Sequence, residues 1–418
     1  MKHILILIAD YGFGHHSAAN AISEALQETY GGNCVVEIVN PLDDKRAPAF
    51  LRKEQANYNR IVREMPDLYK LGYQVSDSPA ASNLIESAVT LLLFTLLCDI
   101  VRQYQPDVIV CTYPIYPAIL SAIFDMEKHR IPVITVVTDL GAVHNLWFYP
   151  KTDLCLVPNQ AVSNMAIAAG LAPEKVMITG IPVHPDLAKG DQDQSSIRLS
   201  LGWSPDLFTV LAVGGKRVGK LYKTLRVLNH SGWPLQLAIV TGGDDALYNR
   251  FKLTEWHLET HLYNFVTNMP TLMRSADCVL SKAGGLIVSE ALACGLPLLL
   301  INAIPGQESG NVDYVVEGSA GDVARDPFEA LEILCHWLTN KRELYKVRRQ
   351  NARRLGYPQA SYDVARLVWT VAAVPAEVSP GDAMLHPSVE NPDGCISAAE
   401  LRYSFKMDEQ VGKGSPPK

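Results

Sequence analysis

Short runs of apolar residues, rich in valine, isoleucine and leucine, recur along this chain at residues 4–9, 34–39, 107–111, 133–137, 154–157 and 176–179. A strand with one wet face alternates apolar and polar side chains. These runs are apolar nearly throughout, which marks strands buried on both faces of a parallel sheet. Helix-length amphipathic stretches at 16–30, 115–127 and 161–169 lie between several of them. The alternation predicts a doubly wound α/β sheet covered by helices.

The pattern stops at residues 182–205, which are polar and turn-rich and include Asp191-Gln-Asp-Gln-Ser-Ser. It resumes with apolar runs at 208–213, 235–241, 262–266, 278–280 and 298–301. A chain of 418 residues is also too long for one simple core. The reading is therefore two Rossmann-like domains, 1–185 and 207–358, joined by a linker at 186–206. Such sheets bind ligands at the carboxyl ends of their strands, and the two carboxyl edges are expected to face one cleft. Residues 375–418 carry many Pro, Gly and Ser and read as a disordered tail.

Charged residues make up 19% of the chain and the net charge is −7, so no basic footprint for nucleic acid is expected. The eight cysteines form no CxxC pair and most sit in apolar runs, which reads as buried, reduced thiols of a cytosolic protein. The six apolar residues at 4–9 are too few for a secretory signal, and the run at 88–98 falls short of the roughly 20 residues of a membrane span. A soluble protein, or one resting on a membrane surface, is the expectation.

The turn after the first run reads Gly12-Phe-Gly14-His15-His16-Ser17. Glycines there let the backbone turn tightly and approach a ligand, and a histidine at a helix N-terminus suits general-base work near neutral pH. A dinucleotide site would need a third glycine at position 17 and an acid ending the second strand. Ser17 and Asn40 stand there instead. The turn after the fourth run gathers Thr138, Asp139, His144, Trp147 and Phe148 at one strand end. Asp139 is read as orienting or charging the catalytic histidine, or as binding the acceptor; a capped loop with an aromatic plug is the structural alternative.

Gly214-Gly215-Lys216-Arg-Val-Gly219-Lys220 has the spacing of a nucleoside-triphosphatase loop, but Leu221 stands where a magnesium-holding Ser or Thr belongs. Its backbone N–H groups remain suited to cradling a diphosphate. His257 and His261 lie four apart on an expected helix without the glutamate placement of a zinc hydrolase, and read as a solvated face. Asp191 and Asp193 form a DxD within the linker and are discounted likewise.

The informative stretch is 281–311. A strand ends near Leu280, and Gly284 and Gly285 open a helix whose N-terminus offers unsatisfied N–H donors and a positive dipole end, a seat for a diphosphate. Lys282 adds a cation and Glu290 is placed to accept from ribose hydroxyls. The next strand delivers Gly306, Gln307, Glu308 and Asn311, whose donors and acceptors suit a polyhydroxylated sugar.

With these motifs, residues 1–372 resemble the monogalactosyldiacylglycerol synthases and the related bacterial processive diacylglycerol glucosyltransferases. More distantly, they are similar to the enzyme that adds N-acetylglucosamine to the peptidoglycan lipid precursor. The resemblance is carried by Gly12, Gly14, His15; by Thr138, Asp139, His144, Trp147, Phe148; by Gly180, Pro182, Pro185; and by the loop 265–269 with Val266 and Met269. It is most specific in Lys282, Gly284, Gly285, Glu290 and in Pro305, Gly306, Gln307, Glu308, Asn311. Phe13 and His16 depart from the family's G-G-G-H turn and the Arg that usually follows it.

The resemblance implies a GT-B fold with a final helix near 359–374 crossing back to the N-terminal domain. It also implies a UDP-sugar donor, inversion at the anomeric carbon, and no metal or other cofactor. His15 is then the base supported by Asp139, and a lipid, diacylglycerol, is the acceptor. Lys45, Arg46, Arg52, Lys53, Arg60, Arg63 and Lys70, with the apolar run 88–98, suit docking on an anionic membrane surface, expected at the inner face of the plasma membrane. A UDP-N-acetylglucosamine-type epimerase and a non-catalytic nucleotide-sugar binder use the same architecture and stand as alternatives.

Overall fold

The computed structural model describes residues 1–10, 13–52, 76–77, 79–127, 129–141, 143–189, 193–215, 218–303 and 308–373. Gly12, Lys216, Gly306 and Gln307 lie outside the described residues, as do Asp191, Lys53, Arg60, Arg63, Lys70 and the whole of 375–418.

Strands β1 (Lys2–Leu7), β2 (Cys34–Val39), β3 (Val108–Cys111), β4 (Val133–Val136), β5 (Leu154–Val157) and β6 (Val176–Ile178) form a parallel sheet in the order β2-β1-β3-β4-β5-β6. Helices α1 (Phe13–Tyr30), α2 (Pro79–Tyr104), α3 (Tyr116–Glu127) and α4 (Gln160–Ala168) connect them. The period of two along a strand explains why β1 is apolar on both faces from Ile4 onward. Leu5 and Leu7 pack with Leu93 and Leu97 of α2 and Ile119 and Ile123 of α3. Ile4 and Ile6 face the other way, onto Ile22 and Leu26 of α1.

The second parallel sheet contains β7 (Phe208–Val213), β8 (Leu235–Val240), β9 (Glu259–Tyr263), β10 (Cys278–Lys282), β11 (Leu298–Asn302) and β12 (Gly321–Val323), in the order β12-β11-β10-β7-β8-β9. Its helices are α5 (Gln194–Ser200), α6 (Leu221–Asn229), α7 (Asp245–Lys252), α8 (Met269–Ser275), α9 (Gly285–Ala293), α10 (Ser309–Glu317), α11 (Pro327–Leu338) and α12 (Glu343–Leu355). One face packs on Val288 and Leu292 of α9; the other packs on Leu221, Leu225 and Leu228 of α6 and on Trp337 of α11.

The last helix, α13 (Ala360–Ala373), returns to the first sheet. Val364, Val368 and Val371 recur at helical spacing and enter the core beside Ile22 and Leu26. Trp369 stacks on Tyr30 with centroids 4.2 Å apart, and the Tyr362 hydroxyl donates to Glu28 at 2.5 Å.

Both strand orders reverse direction at a single place. Successive strands run outward from β1 to either side in the first sheet, and the second sheet divides between β7 and β10. A crevice opens at the carboxyl ends of such strands. Those ends carry Gly14 and His15 in one domain, and Gly214, Gly215 and residues 282–285 in the other.

The two departures from the expected strands both lie at edges of the second sheet. β9 begins three residues before the expected run, because its opening Glu259-Thr-His is polar, as the partly exposed edge of a sheet allows. His261 belongs to this strand and His257 precedes it, so the helix expected there does not form. β12 is only Gly-Asp-Val, too short and too polar to register as an apolar run.

The linker is also more structured than its polarity suggests. It contains α5, whose buried Arg198 donates to the carbonyls of Ser275, Pro205 and Leu207 and pairs with Asp277 at 2.7 Å. Asp277 in turn accepts from Thr209 N–H at 2.7 Å. Removing one partner of a buried pair leaves an uncompensated charge. Arg198→Ala is expected to lower the stability of the second domain by about 3–5 kcal/mol, measured as the shift in its urea unfolding midpoint.

Candidate functional site

Three strand ends of the first sheet converge on one imidazole. His15 occupies the first turn of α1, immediately beyond β1, and its side chain is buried. Its Nδ1 lies 3.0 Å from Oγ1 of Thr138, beyond β4. Its carbonyl accepts from Thr112 Oγ1, beyond β3, at 3.2 Å. Tyr113 meets the ring edge-on at 5.2 Å, and Trp147, itself buried, flanks it at 6.0 Å. Burial lowers the imidazole pKa to about 4, so His15 is uncharged at neutral pH. A hydrogen bond to the Thr112 backbone opposes this shift without cancelling it.

Asp139 was expected to support this histidine, and the structure gives that place to its neighbour Thr138. The β ladder runs one bond past β4, through Val137 N–H to Leu156 carbonyl at 2.9 Å. Consecutive side chains of such a segment point to opposite sides. Thr138 reaches His15, while Asp139 lies near Glu308 and Lys282 of the other domain. Burial, reinforced by the Glu308 charge and opposed by Lys282, pushes the Asp139 carboxyl up to about 7.

His144 is a second correction. Its Nδ1 accepts from Leu146 N–H at 3.2 Å, capping the turn Asn145–Trp147, and its Nε2 lies 3.0 Å from Ser76 Oγ. Both ring nitrogens are engaged in bracing the loop, which removes His144 from the groups open to a substrate.

In the second domain, Gly214 and Gly215 follow β7, and the Gly214 N–H donates to Val240 carbonyl at 2.7 Å. Ser281 Oγ donates to Val213 carbonyl at 2.8 Å and staples the ends of β7 and β10 together. Helix α9 then begins at Gly285 with no side-chain cap on Gly284, which leaves its first N–H groups open to an anion. The Lys282 ammonium pairs with the buried Glu308 carboxylate beside this helix end. A Cβ on Gly284 would stand 2.9 Å from Lys282 Nζ, so a side chain there would push the lysine tip aside. Glu290, on α9, has its carboxyl pushed up to about 8 by burial. Val266 and Met269 are half-buried, packing on the core beside the loop after β9.

The domains meet directly at this site. Thr138 carbonyl approaches Gly285 so closely that a Cβ there would lie 2.5 Å from it, and a Cβ on Gly141 would lie 2.4 Å from the Gly310 carbonyl. Asn311, expected to hold sugar, instead bridges the domains. Its Oδ1 accepts from Leu140 N–H at 2.8 Å and its Nδ2 donates to Ala283 carbonyl at 2.9 Å, with the side chain fully buried. Sequence reasoning passed over Thr138 as a site residue, although its place beside Asp139 at a strand end was visible.

The buried acids make stability depend on pH. A carboxyl whose folded pKa lies above its ordinary value binds its proton more tightly in the folded state. Its contribution is therefore complete at low pH and is lost as pH rises through the window between the two values. For Asp139 that window runs from its ordinary 3.8 to about 7. Asp139→Asn is expected to flatten the fall in unfolding temperature between about pH 4 and about pH 7; the same slope in both proteins would refute the assignment.

Comparison with known proteins agrees with this arrangement. Residues 15–183 match the family profile described as Monogalactosyldiacylglycerol (MGDG) synthase, and residues 218–317 match Glycosyltransferase family 28 C-terminal domain. The monogalactosyldiacylglycerol synthase, chloroplastic, of Spinacia oleracea is 30% identical over 373 residues, covering 87% of this chain and 71% of its own length. The probable enzyme of the same name from Nicotiana tabacum is 30% identical over 373 residues, covering 87% of this chain and 69% of its own. Among solved structures, Acinetobacter baumannii MurG (TM-score 0.55, 15% identity, 88% of this chain and 99% of that one) and S. aureus MnaA with UDP (TM-score 0.57, 15% identity, 88% and 95%) share the two-domain GT-B fold. At that identity they speak for the fold alone, and the epimerase alternative rests on nothing more. The relatives are named as chloroplastic, which overturns the expectation of a cytoplasmic protein at the inner face of the plasma membrane. With both domains matched, the chain belongs to the monogalactosyldiacylglycerol synthase family of glycosyltransferases.

Proposed function

We propose that this protein transfers a galactosyl group from UDP-galactose to the free hydroxyl of diacylglycerol, with inversion and without a metal. The observation that carries the reading is a buried, uncharged histidine set across an interdomain contact from an uncapped helix N-terminus with a lysine beside it. The diphosphate sits on the first N–H groups of α9 and on Lys282, with Gly214 and Gly215 alongside. Glu290 takes the ribose, residues 266–269 flank the uracil, and Glu308 takes sugar hydroxyls, together with Gln307.

His15 Nε2 accepts the proton of the acceptor hydroxyl as its oxygen attacks the anomeric carbon. The new C–O bond forms as the bond to the β-phosphate breaks, and UDP carries away the electron pair. A base with so low a pKa is deprotonated at any working pH. The donor's phosphate charges, brought into a cleft of low dielectric, raise its proton affinity when the donor is bound. The helix end and Lys282 meet the charge that develops on the leaving group. His15→Ala is expected to lower kcat by roughly 10²–10⁴-fold while calorimetric UDP affinity stays at the wild-type value; turnover within a few-fold of wild type would sink the assignment.

Access to the acceptor is read from α2. Its inner face, with Leu93, Leu96, Leu97 and Ile100, is built into the core, while Leu91 and Leu92 stand 84% and 47% exposed. The segment Ser87–Tyr104 is long and apolar enough to cross a membrane by length and composition, yet 39% of it is buried in the domain. A helix fixed along one side offers its other side to a lipid surface. Arg46 is paired with Asp44 and Asp99, so less of the basic charge is free than its count suggests. Replacing Leu91 and Leu92 by Glu is expected to reduce sedimentation with phosphatidylglycerol vesicles and turnover of vesicle-borne diacylglycerol, with UDP affinity preserved. Undiminished vesicle binding would remove this face from the account.

A further inference from the structure

We propose that Thr138 is a positioning residue: its hydroxyl fixes the tautomer of His15, and its carbonyl ties that histidine to the donor-binding helix. The proposal rests on the reading of His15 as the base.

An imidazole can take a proton only at the nitrogen that holds a free lone pair, and the partner of the other nitrogen decides which one that is. The hydrogen bond between Thr138 Oγ1 and His15 Nδ1, 3.0 Å long, is the one side-chain hydrogen bond to this ring among the described residues. With Nδ1–H donating to the hydroxyl, the lone pair lies on Nε2. The other side chains near the ring are occupied or unsuited. Thr112 Oγ1 donates to backbone carbonyls, and among the described residues only the Thr112 backbone hydrogen-bonds the His15 ring besides Thr138; Asp139 lies by Lys282 and Glu308, and Tyr113 and Trp147 present ring surfaces. A hydroxyl partner also differs in kind from a carboxylate. It orients the ring without adding a charge that would favour imidazolium, in keeping with the uncharged state of His15.

The same residue carries the mechanical link. Thr138 is buried, and its β-branched side chain leaves few rotamers. Its carbonyl rests against Gly285, the first residue of α9, and two residues later Leu140 N–H is held by Asn311. The oxygen that aligns the base and the helix end that seats the diphosphate therefore share one rigid strap.

Thr138→Val keeps the shape and removes the hydroxyl; Thr138→Ser keeps the hydroxyl. Thr138→Val is expected to lower kcat by about 10–100-fold with KM for the UDP-sugar within about twofold, and Thr138→Ser to restore most of the loss. A long-range ¹H–¹⁵N histidine spectrum of the wild-type protein should show His15 protonated at Nδ1 alone, and that of Thr138→Val a mixture of tautomers. Wild-type kcat in Thr138→Val, or an Nε2-protonated His15 in the wild-type spectrum, overturns the proposal. If His15→Ala abolishes turnover while Thr138→Val does not, the positioning role alone fails; if His15→Ala retains turnover, the reading of the base fails. The wild-type spectrum tests the tautomer even if Thr138→Val does not fold.

Discussion

The fully buried amide of Asn311 holds the two domains in register. One end accepts from a backbone N–H of the first domain and the other donates to a backbone carbonyl of the second. A buried polar group left without its partner costs about 1–3 kcal/mol, so an arrangement that satisfies both ends is strongly selected over one displaced by even an ångström. Two close backbone approaches, at Gly141 and Gly285, depend on the same register. The histidine and the helix end then face each other at a fixed spacing, because neither belongs to a loop free to move alone.

The charges of the cleft follow from that closeness. Asp139 and Glu308 crowd together where Lys282 is the nearby cation, and Glu290 is buried on the same helix that begins there. An incoming diphosphate adds more negative charge. Burial eases the conflict by raising two of these carboxyls, Asp139 to about 7 and Glu290 to about 8, so that each holds its proton part of the time near neutrality. A neutral carboxyl at Glu290 also donates as well as accepts, which suits a pair of vicinal hydroxyls better than a carboxylate restricted to accepting.

Much of this was legible in the sequence, and the failures have physical causes. Strands buried on both faces announce themselves as unbroken apolar runs, so β1, β3, β4 and β5 were found where they lie. Edge strand β9 showed only its apolar end, and β12, with almost no length, sent no such signal. The glycine–helix turn at 284–285 was readable because its chemistry is local. The roles of His144 and Asn311 were not, since a side chain with donors and acceptors looks the same in sequence whether it meets a ligand or a distant backbone group. What separates the two is the pairing of Asn311 with Leu140, 171 positions away. The choice between Thr138 and Asp139 as the partner of His15 turned on which way two adjacent side chains point, and that is set only when the strand enters its sheet.

Helix α13 gives the chain an order of assembly. The first domain is made almost entirely from the first half of the sequence, yet one wall of its core is supplied by Val364, Val368 and Val371, at the far end of the described chain. Until those residues leave the ribosome, Ile22, Leu26 and their neighbours have no cover on that side. The N-terminal domain is thus the earlier to be synthesised and the later to be completed. The second domain, whose elements are contiguous, can close first and then deliver the missing wall.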